Sequence, residues 1–247
     1  MPRSVILFYK YAPLTNERET MSILRDAYER LGVSLRLTGR VLLGLSADAE
    51  GTNGTLSGDK DDVAACARIL LGRDRCGELD TRYSDCAAAF FTSCERFAVA
   101  AGVPPPYFDG AEDFKWSAAG GSGEIFPDLN VKVVKEVIST GRKLSTVKLG
   151  DTRQGYLTPE QWHEELQRLQ SPEGGERPRE EGDTILVDCR NHKEFEIGRF
   201  EGAMDPNTKT FAQFPRWVEQ NRAGLAGKKV LMYCTGGTLS RPHDACV

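Results

Sequence analysis

The sequence predicts a small α+β sandwich followed by a parallel α/β unit. Two patterns carry this. Between Ser4 and Leu71 the apolar residues run strand, helix, strand, strand, helix, the order of a two-layer sandwich of ferredoxin-like type. From Gly155 onward short buried-type strands alternate with helical stretches, which implies parallel strands joined by crossovers. The boundary is expected near residue 150, giving units 1–150 and 151–247, with 73–112 irregular or inserted.

Taken in order, Ser4 to Tyr11 reads as a strand. Thr15 or Asn16 is placed to cap a helix whose Leu24, Ala27, Tyr28 and Leu31 share one face, with Gly32 as its stop. Gly39 to Ser46 reads as the second strand. Glu50 to Ser57 carries an Asn53-Gly54 turn signal and a third strand. Asp59 to Leu71 suits a helix with Val63, Cys66, Ala67, Leu70 and Leu71 inward, ended by Gly72. The alanine-rich Cys86 to Ala101 suits another, stopped by Gly102 and three prolines. Phe114 to Ser117 and Leu129 to Ile138 read as two strands, joined by a Gly/Ala-rich loop, that complete the first sheet.

In the second unit, Thr158-Pro159-Glu160-Gln161 is a helix start, with Thr as N-cap, Pro at the first position and Gln as capping-box partner. Residues 171–183 are rich in proline, glycine and charge and read as a loop. Thr184 to Asp188 is a buried-type strand, His192 to Ile197 a short helix, and a crossover containing Trp217 leads to a strand at 229–233. Val230 to Tyr233 reads as buried on both faces.

Composition narrows the function classes. A chain of 247 residues with 40% hydrophobic and 28% charged residues is a soluble globular type, and a net charge of −4 means that any polyanion must meet a local patch. One such patch is Lys132, Lys135, Arg142, Lys143, Lys148 and Arg153, readable as RNA-facing or as a solvated strand face and connector. No apolar run approaches the ~20 residues of a membrane span, and Val5 to Tyr9 is too short for a signal-peptide core. Seven cysteines, none in a CxxC pair, support neither a disulfide framework nor a zinc site. The expectation is a cytoplasmic protein with no membrane contact, metal or cofactor.

Chemistry points to Cys234. A strand ending in Cys and then Thr235-Gly236-Gly237-Thr238 puts sulfur at the carboxyl edge of a sheet, where backbone N–H groups can turn toward it and favour thiolate. The same pattern also fits an inert cysteine closing a core strand. Asp188-Cys189-Arg190 ends a second strand at the same edge. Its guanidinium either supports a thiolate loop or simply braces the turn with Asp188.

These residues carry a resemblance. Val187 to Ala203, with Asp188-Cys189-Arg190-Asn191-His192, is similar to the first signature of a rhodanese domain. Met232-Tyr233-Cys234-Thr235-Gly236-Gly237 is similar to its active-loop signature. The Asn-His and the Cys-Thr-Gly-Gly form resemble one branch, the rhodanese-domain tRNA uridine hydroxylases and their eukaryotic rhodanese-like relatives. Phe8 to Tyr11, Gly39-Arg40-Val41, Glu50 to Gly54, Phe114-Lys115-Trp116 and Leu129 to Val133 agree. The resemblance implies an acylphosphatase-like N-terminal domain and a rhodanese-like parallel α/β domain. It also implies Cys234 as the reacting residue, Asp188, Arg190 and His192 as its support, and tRNA and a sulfane-sulfur donor as partners. Two departures stand out. The loop continues as Thr238-Leu239-Ser240-Arg241-Pro242, with Leu239 where the family has Arg, and the chain is expected to be truncated at Val247, lacking a strand and helices. Residues from Thr238 on are expected to come from an alternative or mis-called exon. Three functions follow: cysteine-dependent tRNA uridine modification, a thiosulfate-type sulfurtransferase without RNA, or a non-catalytic rhodanese-like module or isoform.

Overall fold

The computed structural model describes residues 3–45, 51–72, 79–118, 125–137, 157–170 and 184–235. They fall in two compact units, Met1–Val137 and Ile138–Val247. The first contains β1 (Arg3–Lys10), α1 (Arg18–Ser34), β2 (Thr38–Gly44), β3 (Thr52–Asp59), α2 (Lys60–Leu70), α3 (Ser84–Ala101), β4 (Phe114–Ala118) and β5 (Leu129–Val134).

The strands form one sheet in the order β4-β1-β3-β2-β5. All neighbours are antiparallel except β2 and β5, which run parallel. One face of the sheet, with Ile6, Phe8, Val41, Leu43, Leu56 and Val131, is buried in a single core with α1 and α2. This is the α+β sandwich that the alternation of strands and helices implied. The helix expected at Cys86 to Ala101 is α3, ended by Gly102 in the left-handed conformation at φ 68°. It packs on α1 through an edge-to-face pair, Tyr28 and Phe90, with centroids 5.3 Å apart.

Four local expectations are corrected. Neither Thr15 nor Asn16 caps α1; the N-cap position is Glu17, without a side-chain cap bond, and Thr15 Oγ1 instead accepts from Glu17 N. Gly32 does not stop α1 but is buried inside it, because a Cβ there would lie 2.5 Å from Leu129 Cδ2 on β5. Asn53-Gly54 is not a turn. Both lie within β3, where the Phe8 ring occupies the space above Gly54, 2.3 Å from where a Cβ would sit. β5 also ends at Val134, short of the expected Ile138.

The second unit contains α4 (Pro159–Gln170), β6 (Thr184–Asp188), α5 (His192–Ile197), α6 (Phe214–Leu225) and β7 (Lys229–Tyr233). The capping box at α4 forms as read: Thr158 N donates to Gln161 Oε1 at 2.8 Å and Gln161 N to Thr158 Oγ1 at 3.3 Å. β6 and β7 pair in parallel from Thr184↔Lys229 to Asp188↔Tyr233. On the other edge of β6, Met204 makes a single parallel bridge to Val187.

Side chains alternate across this ladder. Leu186 and Leu231 pack with Leu166 and Trp162 of α4, whereas Val187, Cys189, Val230 and Met232 pack with Phe214 and Trp217 of α6. Both faces of β7 are therefore covered, but only Leu231 is fully buried; Val230, Met232 and Tyr233 remain half-exposed. Two described strands cannot enclose a residue as a wide sheet does. Among the described residues, no helix is long and apolar enough to cross a membrane.

Candidate active site

The ends of β6 and β7 meet at Asp188. This carboxylate is fully buried, yet every lobe of it is occupied. It accepts from Arg190 N (3.0 Å), Nε (2.9 Å) and Nη2 (2.7 Å), and from the Tyr233 hydroxyl (2.7 Å). Arg190 Nη2 also donates to Gly198 O at 2.6 Å, and its guanidinium lies 5.5 Å from the centre of the Tyr233 ring. Tyr233 Oη accepts from Phe200 N at 3.3 Å. Phe200 and Trp162 pack around Tyr233, at 4.9 and 6.0 Å between centroids.

Charge follows from these contacts. Burial pushes the Asp188 carboxyl up, but the hydrogen bonds from Arg190 and Tyr233 outweigh it and hold it below the usual range. Burial, then the Asp188 carboxylate, raise the Tyr233 phenol to about 12. The hydrogen bonds of Arg190 go to Asp188 and Gly198, the geometry of a brace across the turn.

Cys234 follows directly on β7. It is half-buried, on the α6 side of the ladder, against the cluster of Val187, Cys189 and Phe214. Thr235 comes next, and its Oγ1 donates to Glu194 Oε1 at 2.7 Å. Glu194 is itself fixed by the N-terminal box of α5, where its N donates to Asn191 Oδ1 (3.1 Å) and its Oε2 accepts from Asn191 N and Nδ2. A residue 41 positions earlier thus anchors the segment after the cysteine.

His192 lies on the same short helix. Its Nδ1 is 2.6 Å from Asp205 Oδ2 and its Nε2 is 3.4 Å from Glu196. The hydrogen bond with Asp205 raises the imidazole above its ordinary 6.5; burial opposes it less strongly, and the charge of Glu196 adds a smaller rise. The stabilisation from this tie is therefore complete below about pH 6.5 and fades as pH rises through the higher folded-state value. An NMR titration should show a His192 midpoint above 6.5 that falls back in Asp205→Asn; identical midpoints in the two proteins would refute the tie.

Of the residues singled out from sequence, Asp188, Arg190, Cys234 and Thr235 are assembled at this edge, with His192 on the adjoining α5. Gly236, Gly237 and Thr238 lie outside the described residues, as do Arg142, Lys143 and Lys148. Lys132 and Lys135 are exposed in the first unit. Glu194, Asp205 and Tyr233 were missed as site residues. Only the Asn191-x-x-Glu194 spacing carried a signal, that of a capping box. Among the described residues no group of three His, Cys, Asp or Glu side chains is placed to hold a metal.

Residues 3–137 match the UPF0176 acylphosphatase-like domain. The chain belongs to this family. The UPF0176 chain is also similar to the tRNA uridine(34) hydroxylase of Brucella anthropi, 29% identical over 238 residues that make up 96% of this chain and 59% of that protein. The enzyme of the same name from onion yellows phytoplasma is 29% identical over 233 residues, 94% of this chain and 57% of the relative. That from Brucella ovis is 28% identical over 238 residues. The UPF0176 chain spans just under three fifths of the length of these relatives. The acylphosphatase-like first unit and the kinship with tRNA uridine hydroxylases, read from the motifs, both agree with these matches.

Proposed function

We propose that this chain modifies uridine in tRNA, with Cys234 as the reacting group and the strand-end network as its frame. The supporting observation is that a half-exposed cysteine ends β7 while its neighbour Thr235 is fastened to a capped helix. Anchoring the residue after a nucleophile holds the loop in one conformation, which lowers the reorganisation needed when negative charge develops on sulfur. In a persulfide cycle the Cys234 thiolate attacks the outer sulfur of a sulfane-sulfur donor such as thiosulfate; the donor's S–S bond breaks, sulfite leaves with the bonding pair, and Cys234 keeps the sulfur as a persulfide. The names of the relatives, tRNA uridine(34) hydroxylases, favour uridine in tRNA as the substrate.

Modified-nucleoside profiles of tRNA test this directly. A strain lacking its own tRNA uridine hydroxylase and complemented with this chain should regain the modified uridine, and Cys234→Ser should fall to background. Cyanide-coupled turnover without any change in tRNA would instead favour the RNA-independent sulfurtransferase. Partner binding with neither activity would favour the non-catalytic module.

RNA contact has a natural place on the first unit. The sheet face opposite the helices carries Arg3, Arg40, Lys115 and Lys132, with Asp59 as the one acidic strand residue there, as the register of the five strands dictates. Arg40 and Lys132 are exposed. If both meet phosphates, Arg40→Ala with Lys132→Ala should weaken tRNA binding and reduce the salt slope of log K by about 2. An unchanged slope would remove this face from the RNA path.

A further inference from the structure

Cys189 is the middle residue of Asp188-Cys189-Arg190, and the ladder gives it a particular neighbour. The β6–β7 register ends at Asp188↔Tyr233, and Cys189 N closes that last pair by donating to Tyr233 O at 2.9 Å. One residue beyond that last pair, on each strand, stand Cys189 and Cys234, which the same register would set side by side. Adjacent strands lie about 4.8 Å apart, within the roughly 4.4–6.8 Å span of Cα atoms joined by disulfides. Residues paired in this way point to the same face, and both cysteines pack in the one cluster with Val187, Phe214 and Met232. Neither is in a disulfide.

From this juxtaposition we infer that Cys189 is a resolving cysteine for Cys234. Whenever the Cys234 sulfur carries a leaving group, the Cys189 sulfur attacks it and closes a Cys189–Cys234 disulfide. With a persulfide the step is Cys234–S–SH plus HS–Cys189 giving the disulfide and hydrogen sulfide. The Cys189 sulfur attacks the inner, Cys234 sulfur, and the outer sulfur leaves with the bonding pair and takes up the Cys189 proton; the outer sulfur is reduced, the Cys189 sulfur is oxidised, and the Cys234 sulfur keeps its oxidation level. With a sulfenic acid, formed by hydrogen peroxide on Cys234, the same attack expels water. A small-molecule thiol then returns both cysteines to the reduced state. Cys189 is 1% exposed, so external thiols meet it poorly and Cys234 is the partner within its reach. In this way the site releases sulfur as sulfide when no acceptor is bound, and protects Cys234 from irreversible oxidation.

The persulfide branch rests on the function proposed above; the peroxide branch does not, and the test uses both. The full chain is treated in separate arms with thiosulfate and with hydrogen peroxide, blocked with a thiol reagent, digested and mapped by mass spectrometry, with released sulfide measured in the first arm. The expected result is a Cys189–Cys234 linked peptide in both arms and sulfide equal to the linked fraction in the thiosulfate arm. Cys189→Ser and Cys189→Ala should lose the link and the sulfide, and should accumulate Cys234 carrying one extra sulfur or oxygen. Two substitutions are used because the site is buried, and each is first checked for a cooperative unfolding transition. Modified Cys234 without the link in the wild-type chain, or equal sulfide release from the Cys189 variants, overturns the inference and leaves the function standing. A link formed with peroxide, but no extra sulfur on Cys234 of any variant after thiosulfate, supports the pairing and overturns the persulfide cycle.

Discussion

Asp188→Ala is expected to destabilise the second unit by about 3–5 kcal/mol, the usual cost of removing one partner from a buried ion pair. The Asp188 side chain is 0% exposed and that of Arg190 only 19%, so the guanidinium left behind would be largely cut off from water without its counter-charge. Tyr233 would lose its acceptor in the same step. Asp188→Asn keeps the shape without the charge, and most of the loss should persist. Amide exchange of β6 and β7 in denaturant measures it; a loss under about 1 kcal/mol would mean that the pair behaves as a surface salt bridge. The pH dependence has a definite sign. The folded-state pKa of Asp188 is below 3.8, so its contribution is full above that value and disappears as pH falls through the lower folded-state one.

Phe8→Ala should cost the first unit about 3–5 kcal/mol, in the range for emptying an aromatic site in a core. Phe8 is fully buried on the interior strand β1, between β4 and β3, and packs near two further rings, Phe108 and Phe114, with centroids at 5.4 and 5.8 Å. Its own ring fills the place of a side chain at Gly54 on the paired strand. The truncation therefore leaves a void that Gly54 has no atoms to fill. Amide exchange across β1 and β3 reads the effect, and Phe8→Leu, which retains most of the volume, should recover more than half. If Phe8→Ala exchanges like the wild-type chain, the core does not depend on this ring.

Gly54 also marks where reading the sequence fails. Asn53-Gly54 has the local chemistry of a hairpin turn, but the ring that requires a glycine there is 46 residues away along the chain, as is the pairing Phe8↔Gly54. Gly32 failed in the same way, since Leu129 sets its environment. Glycines are ambiguous because a missing side chain records no direction. The capping box of Thr158 and Gln161, the amphipathic face of α1 and the strand ending at Cys234 were legible, because each is written in a few adjacent residues. At the site, Asp188 and Arg190 could be named but their choice between brace and thiolate support could not. Tyr233, whose hydroxyl occupies the carboxylate, read only as part of an apolar strand. The link from Thr235 to Glu194 left no trace in sequence beyond the capping box that fixes Glu194.

The place of α3 in the chain bears on synthesis. Tyr28 of α1 is covered by Phe90, and β1 has one edge closed only by β4 at Phe114–Ala118. A nascent chain that has emerged only as far as α2 therefore shows the ribosome's surroundings an aromatic surface and an open β edge. The first persists until about thirty more residues, through α3, have followed, and the second until about fifty have, through β4. At about 5–20 residues per second that interval lasts seconds, long enough for holdase chaperones to engage. Slow codons just after α2 would lengthen it, and a shortage of chaperones should reduce the yield of this protein before any mature-state stability is tested.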